Sequence, residues 1–239
     1  KIGTKVSESY TEQNSVCNVT CKIFAIQQAN LEAANAKTEL LGRIVGLDTS
    51  KYSYASYLES DSDQYINSGY KPTSEVLKYK LSYALTTTGP DGYSMIGSSN
   101  DDDTNFGIEL WGNRYYVGTS RGLLENSYTK NKRYNVCVEA NNKLLTLNYN
   151  GVITSASYTG TLYKNAEIGI FKTKTDSGWY SASSGKGGSK IWVCKIYDNN
   201  KLVRNMIPCV RSSDNKPGMF DSVSNTFFTN AGSGEFLWG

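Results

Sequence analysis

Apolar and polar residues alternate along much of the chain after residue 75, and this period of two predicts β-strands. In the run 75–85, one face carries leucine and tyrosine and the other carries lysine: Leu77, Tyr79, Leu81 and Tyr83 against Lys78 and Lys80. Runs rich in β-formers predict further strands at 93–97, 106–111, 113–118, 133–140, 143–149 and 166–171. Turn residues such as Asn141-Asn142 and Asn150-Gly151 separate some of them. The pattern predicts an antiparallel β-sandwich, mainly β in class, rather than alternating strands and helices.

The last fifty residues show this organisation most clearly. Ile191–Tyr197 predicts a strand, Asp198–Lys201 a turn, and Leu202–Val210 a second strand. Pro208 within that second strand predicts a sheet edge or a strand end. A short hairpin follows, formed by residues 217–221 and 225–230.

The first 46 residues have a different character. Residues 1–20 are polar and without clear period, which predicts an extended arm or linker. Residues 21–46 are rich in Ala, Leu, Gln and Glu and predict a helix of about six turns. Its interrupted apolar stripe fits either a short coiled coil or a single helix docked on its own β-domain or on another protein. The residues expected to mediate this oligomerisation or docking are Ile23, Ile26, Leu40, Leu41 and Ile44.

Two motifs carry a resemblance to a known family. The first comprises Tyr57–Ser60 and Gln64–Pro72, and the second runs from Lys195–Cys209 to Lys216–Phe236. Together they resemble the opening and closing segments of a concanavalin A-like (laminin G-like) jelly-roll domain. That domain is typical of phage tail and fibre proteins and of prophage-encoded or surface proteins of gut bacteria. The resemblance spans residues 52–239 and implies a two-sheet jelly roll, a fold that hosts lectins, hydrolases and structural modules alike.

Composition and charge exclude several functions. The chain holds 18 Tyr and 22 Gly against 4 Pro, as suits twisted sheets with tight turns, and its formal net charge is only +3. Without a basic stripe, we expect no nucleic-acid partner. There is no histidine, which removes Ser-His-Asp and Cys-His catalysis, and no glycine-rich phosphate loop. We therefore expect no cofactor. No apolar run reaches membrane-spanning length, so we also expect no membrane insertion.

The five cysteines leave two alternatives open. Cys137, Cys194 and Cys209 lie in apolar β-runs, where they act as small buried hydrophobes, or Cys194 and Cys209 form a disulfide. Cys17 and Cys21 lack zinc-knuckle spacing and a histidine to complete a site.

Two acidic runs are candidate catalytic or metal sites. Glu59, Asp61 and Asp63 resemble the acidic run of laminarinase-type members of the fold, but the third acid is Asp and serines intervene. We therefore predict no catalytic residue. Asp101, Asp102 and Asp103 are weak calcium candidates, with a solvated acidic loop as the alternative, and no metal is predicted.

Aromatic residues near loops are the candidates for ligand binding. Trp179 and Tyr180 lie in a predicted Gly/Ser-rich loop, 173–189, with Asp176 nearby, and Tyr115 and Tyr116 are further candidates. Trp111 is expected to cover an end of the core, and Trp192 and Trp238 to lie within it.

These features favour a non-enzymatic phage virion protein, a fibre or decoration protein. A helical N-terminal anchor, most simply a trimer, would dock on other virion proteins and display a jelly-roll head. The head would bind a surface glycan of the bacterial host or serve only as decoration. The alternative is a cell-surface or secreted bacterial adhesin, and a glycoside hydrolase is a remote third hypothesis.

Overall fold

The computed structural model describes residues 46–61, 63–87, 91–100, 105–111, 114–117, 120–125, 129–180 and 188–239. All regular secondary structure within these ranges is β-strand. The predicted arm and the predicted helix up to residue 45 lie outside the described residues, as do Asp101, Asp102 and Asp103. The described ranges hold no helix of the length and apolarity needed to cross a bilayer.

These ranges contain nineteen strands. In chain order they are β1 Tyr52–Tyr54, β2 Leu58–Ser60, β3 Ile66–Asn67, β4 Leu77–Leu85, β5 Asp91–Ser99, β6 Asn105–Trp111, β7 Arg114–Val117, β8 Ser120–Glu125, β9 Tyr134–Asn141, β10 Leu144–Tyr149, β11 Val152–Ser157, β12 Gly169–Ile170, β13 Thr173–Lys174, β14 Trp179–Tyr180, β15 Ser189–Asp198, β16 Lys201–Arg211, β17 Lys216–Asp221, β18 Thr226–Thr229 and β19 Leu237–Trp238.

The strands form two sheets. The first has eleven strands in the order β11-β10-β9-β4-β15-β16-β17-β18, with β1 on β16 and with β2 joining β15 to β19. The second has eight, in the order β14-β13-β5-β6-β7-β8, with β12 paired to β5 and β3 paired to β12. The described pairings are antiparallel except β13 with β5. The expected two-sheet antiparallel architecture is confirmed for the described residues.

The core lies between the inner faces of the sheets. On β4 the predicted faces are observed, since Leu77, Tyr79, Leu81 and Tyr83 are buried and the alternating lysines point outward. The second sheet supplies Met95, Ile96, Phe106 and Ile108, all fully buried. The ring of Phe106 lies 4.7 Å from that of Tyr79, so this contact joins the two layers.

Asparagine-containing turns fix the register of two hairpins. The turn at Asn150-Gly151 lies where it is predicted, and the turn after β9 lies one residue later than the predicted Asn141-Asn142. Asn142 and Lys143 (φ 49° and 62°) join β9 to β10, and Asn150 and Gly151 (φ 48° and 90°) join β10 to β11. Positive φ at both central residues is the geometry of a type I′ turn, which matches the twist of paired strands.

Pro208 lies inside β16, so the predicted alternative of a strand end is wrong. It pairs with Met219 of β17, and its carbonyl accepts from Ala55 N–H on the opposite side, at 3.1 Å. On that opposite side, β16 pairs with β15 only as far as Met206, and its pairing with β1 begins at Cys209. The missing proline N–H therefore faces the gap where β16 changes partners, so no ladder hydrogen bond is lost.

The opening and closing motifs meet around one buried carboxylate, Asp198. Its Oδ2 accepts hydrogen bonds of 2.7 Å from Tyr70 O–H and from both the N–H and O–H of Thr73, and its Oδ1 accepts from Ser74. Burial by itself would raise the pKa of Asp198, but the hydrogen bonds from Ser74, Tyr70 and Thr73 lower it overall. We call these four residues the Asp198 network.

Arg204 extends this connection to a second buried carboxylate. Its guanidinium lies over the Tyr70 ring at 5.2 Å, its Nε donates to Ser68 O at 3.0 Å, and the same Nε lies 3.6 Å from Asp221 Oδ2. Asp221 also accepts from Asn205 N–H at 2.7 Å and from the turn that follows it. The motif residues are thus the groups that tie the early strands to the closing hairpins.

Three further predictions need correction. The strand predicted at 166–171 shrinks to Gly169–Ile170, because Phe171 adopts φ 68° and turns the chain. Trp192 is half-buried on the outer face of the first sheet and Trp238 is 51% exposed, so neither belongs to the core.

The described cysteines, Cys137, Cys194 and Cys209, are free thiols, so the alternative of a Cys194–Cys209 disulfide is not formed. Burial raises the pKa of Cys209 to about 12 and moves that of Cys194 still further up. Both side chains are fully buried and act as small hydrophobes.

Candidate functional site

Trp179 lies in a short hairpin and not in the loop predicted for it. Its backbone pairs with Lys174, and Tyr180 pairs with Thr173. The turn between the strands is closed by Thr175, whose N–H donates to Gly178 O at 2.8 Å and whose hydroxyl accepts from Gly178 N–H at 3.1 Å. The indole is therefore carried on regular structure with a fixed backbone.

The indole lies on the outer face of the second sheet. Ile170, Ile96 and Ile66 are paired neighbours that face the core, so the adjacent Gly169 faces outward. A Cβ placed on Gly169 would come within 2.7 Å of Trp179 Cζ3. Only glycine leaves room for the ring at this point of the sheet.

Tyr65 forms the second ring of the site. Its centroid lies 4.3 Å from that of Trp179, with 32° between the ring planes. The C-terminal loop holds its backbone, because Tyr65 N–H donates to Asn230 Oδ1 at 3.0 Å and Tyr65 O accepts from Ala231 N–H at 2.9 Å. Burial raises the pKa of Tyr65, so the phenol stays protonated at neutral pH.

Two lysines accompany the ring pair. Lys172 Nζ lies 5.4 Å from the Tyr65 centroid and 3.6 Å from Asp63 Oδ1, and Lys174 Nζ lies 5.3 Å from the Trp179 centroid. Both distances to the rings are within cation–π range. We call Tyr65, Lys172, Lys174 and Trp179 the aromatic platform, with Asp63 at its rim.

The left-handed conformation of Phe171 positions the lysines. Its φ is 68°, which is unfavourable for a large side chain, but its ring is buried against Phe236 at 5.2 Å and its N–H donates to Met95 O at 2.9 Å. The kink ends β12 and starts β13 in the opposite direction along β5. Strained backbone held by packing in this way is often found beside functional sites.

The structure brings together only part of the predicted ligand site. Asp176 lies in the turn before Trp179 and accepts a hydrogen bond from Tyr163 O–H. Tyr115 and Tyr116 lie on β7, four strands from β14, which is roughly 19 Å at the usual strand spacing. For these two tyrosines and Tyr180 the structure describes the backbone: Tyr115 pairs with Leu110, and Tyr116 with Glu109. Residues 115 and 116 are therefore not part of the Trp179 site.

Sequence reasoning missed Tyr65, Lys172 and Lys174. The lysines alternate with Phe171 and Thr173, which are both buried, and this period of two would have placed them on the outer face. Tyr65 lies in the opening motif, but only the fold brings it to Trp179.

Two acids of the run 59–63 lie beside lysines. Glu59 Oε2 lies 3.4 Å from Lys190 Nζ, and Asp63 pairs with Lys172. Within the described ranges no three acidic or thiol side chains cluster in a way that could hold a metal ion.

Comparisons with known proteins give a distant likeness only. No protein-family model and no curated protein sequence matches this chain. Among solved structures, an alginate lyase of polysaccharide lyase family 7 is 18% identical with a TM-score of 0.36, covering 59% of this chain and 62% of its own. A botulinum neurotoxin type C structure, whose cell entry depends on two ganglioside molecules, is 14% identical with a TM-score of 0.40, covering 55% and 34%. Domains LG4-5 of the mouse laminin alpha1 chain are 12% identical with a TM-score of 0.40, covering 64% and 43%. The matches span less than two-thirds of those proteins, and likeness at this level assigns no activity.

Proposed function

We propose that residues 46–239 form a concanavalin A-like jelly-roll module that binds a saccharide at the aromatic platform. The observation that carries the proposal is the Tyr65–Trp179 ring pair on an outer sheet face, with a lysine over each ring. Both rings are half-buried; Tyr65 packs against the edge of the hydrophobic core, whereas the Trp179 indole lies outside the core cluster. The sequence resemblance of residues 52–239 to that fold supports the same conclusion.

The platform has the chemistry that sugars require. Aromatic rings offer an apolar surface for the C–H face of a pyranose, and a few polar groups beside them fix its orientation. The lysine ammonium groups donate hydrogen bonds to hydroxyl or carboxylate oxygens, and Asp63 at the rim accepts them. The flexible four-carbon side chain of Lys174 allows its ammonium group to turn from the ring toward a ligand. Lys172 is paired with Asp63, and its side chain is only 14% exposed.

We further propose that the module is not an enzyme. Glycoside hydrolysis uses two carboxyl groups flanking the bond to be cleaved. Glu59 and Asp63, the acids considered for that role, each lie beside a lysine. No incubation with polysaccharide should therefore release reducing ends, and release that disappears in Glu59→Gln would overturn this part.

The biological setting we propose is a phage particle, with the module displayed as a fibre or decoration protein. The predicted helix 21–46 would assemble a trimer and dock on other virion proteins. A bacterial cell-surface or secreted adhesin is the alternative. The mass of the full chain in solution tests the anchor: a trimer that becomes monomeric when residues 1–46 are removed supports it, and an unchanged mass contradicts it.

Saccharide binding is tested with the full chain on a glycan panel and on bacterial envelopes. Trp179→Ala should weaken binding about fivefold or more, since about 1 kcal/mol or more of ring contact is lost. Trp238→Ala is the control, because this surface indole is 51% exposed and belongs to β19 of the other sheet. Equal binding by wild type and Trp179→Ala would show that the platform is not the site.

A further inference from the structure

The outer face of the first sheet contains a depression that is separate from both the core and the aromatic platform. It has a volume of about 560 Å³ and lies across β4, β9, β10 and β15. The side chains that define it are Lys80, Ser82, Asn135, Cys137, Asn148 and Val193. We call it the Lys80 pocket.

A β-bulge creates one wall of this pocket. Against β4, Ile191 pairs with Tyr83 and Val193 with Ser82, so Trp192 is the extra residue. Ile191 and Cys194 are fully buried, while Trp192 and Val193 between them are both half-buried on the outer face. Bulges of this kind redirect side chains and are common beside binding sites.

The lining is rich in donors. Asn148 Oδ1 accepts from Gly151 N–H at 2.9 Å, and Asn150 Oδ1 accepts from Asn135 N–H at 2.8 Å. With these oxygens engaged, the amide nitrogens of Asn148 and Asn150 are the groups that can donate to a ligand. Burial raises the pKa of the Cys137 thiol, which therefore stays neutral and adds no negative charge.

The charge of the pocket is positive. Lys80 pairs in register with Cys137 on one side and Lys195 on the other, and it forms no ion pair with another described residue. Its neighbour Lys78, in contrast, is paired with Glu139 at 2.8 Å. No carboxylate lines the pocket. A ligand that complements Lys80 and the asparagine amides is therefore an anion.

Arg133 and Trp192 border the same space. Arg133 Nε donates to Ser82 Oγ at 2.6 Å, and its guanidinium lies 5.1 Å from the Trp192 ring. Trp192 in turn packs against Tyr57 at 5.4 Å. The lining of the pocket thus offers a cation and amide donors, and Arg133 and Trp192 lie beside it, outside the lining. Cations and amide donors next to an aromatic ring are the combination that recognises a sugar ring bearing a carboxylate.

We propose that the Lys80 pocket is a second binding site, specific for a carboxylate-bearing saccharide. The carboxylate lies against Lys80 and the asparagine amides, and the sugar ring lies toward Trp192. This site is independent of the aromatic platform, since it is built on the other sheet. Free sugar acids and the acidic residues of a surface polysaccharide share this chemistry.

The test is calorimetric titration of the full chain with tetragalacturonate, galacturonate and the carboxyl-reduced tetramer. We expect tetragalacturonate to bind, and the reduced tetramer to bind at least about tenfold more weakly, since a charge-assisted hydrogen bond is lost. Lys80→Gln, which keeps length and removes charge, should weaken binding about fivefold or more. Lys201→Gln, at an exposed lysine that begins β16, is the matched control and should change affinity less than about twofold.

Further arms separate the sources and the two sites. Galacturonate binding as tightly as the tetramer identifies a free sugar acid, and preference for the tetramer identifies a polysaccharide. Trp179→Ala should leave this affinity unchanged even if it weakens binding at the platform. The proposal is overturned if tetragalacturonate does not bind, if inorganic sulfate binds equally well, or if a folded Lys80→Gln variant binds as wild type does. Asn135→Ala provides a second pocket variant should Lys80→Gln not fold.

Discussion

The Asp198 network and the aromatic platform both combine tyrosine with charged groups, but they differ in what remains available to a ligand. Asp198 is 3% exposed, and its two oxygens accept hydrogen bonds from Tyr70, Thr73 and Ser74. At the platform, Trp179 and Tyr65 are half-buried, and Lys174 makes no ion pair with another described residue. The first arrangement is satisfied internally, and the second presents the Trp179 ring and Lys174 at the surface.

This contrast separates stability from binding. A buried carboxylate costs free energy unless it is hydrogen-bonded, so the Asp198 network is retained for what it holds together. The Trp179 ring lies outside the core cluster, so its placement over Gly169 calls for another explanation. Substitutions in the two regions should therefore affect different measurements.

Among substitutions in these two regions, the largest effect is expected from Asp198→Ala. The change leaves the donors of Tyr70, Thr73 and Ser74 without their acceptor, which should lower the free energy of unfolding by about 3 kcal/mol. Urea denaturation followed by tryptophan fluorescence measures it. Asp214→Ala removes a carboxylate from a surface pair with Arg211 at 2.6 Å and should leave the midpoint where it is. Equal losses in both variants would contradict a special role for Asp198.

The dependence of stability on pH isolates the charge of Asp198. Its pKa is lowered in the folded state, so its contribution is complete above the unfolded value of about 3.9 and is lost as pH falls through the folded pKa. We therefore expect the stability difference between wild type and Asp198→Asn to shrink on acidification below about pH 4. Asp214, whose pKa is lowered to about 2, titrates in both proteins and cancels from the difference. A difference that stays constant from pH 6 to pH 2 would contradict this account.

Much of the fold was predictable because it depends on local patterns. The alternation in β4 and the asparagines of the two hairpin turns fixed strands, faces and register from short stretches of sequence. The end of β12 was not predictable, because Phe171 adopts a positive φ only through tertiary packing against Phe236.

The candidate site was predicted less completely for the same physical reason. Trp179 stood out because a tryptophan in a Gly/Ser-rich segment is unusual. Its partner Tyr65 is more than a hundred residues away, and no local pattern records their contact. Trp192 was misassigned to the core because the bulge at that position shifts the alternation by one residue.

Gly169→Ala should lower the free energy of unfolding by an intermediate amount. A Cβ there would lie 2.1 Å from Lys172 O and 2.7 Å from Trp179 Cζ3, so both backbone and ring must move, at a cost of about 2 kcal/mol. Thermal and urea unfolding measure it. Combining the change with Trp179→Ala should relieve only the ring contact, leaving most of the loss. Full recovery in the double variant would show that the backbone at Lys172 yields readily.

The smallest effect on stability is expected from Trp179→Ala itself. The ring is half-buried and contacts Tyr65 and Gly169, so its removal should cost no more than about 1 kcal/mol. Phe106→Ala is the comparison within the same sheet, because that ring is fully buried against Tyr79 and its loss should cost about 3–5 kcal/mol. Urea denaturation of both variants decides the matter. A loss in Trp179→Ala as large as that in Phe106→Ala would make the indole a structural element, and its surface position would then need no ligand to explain it.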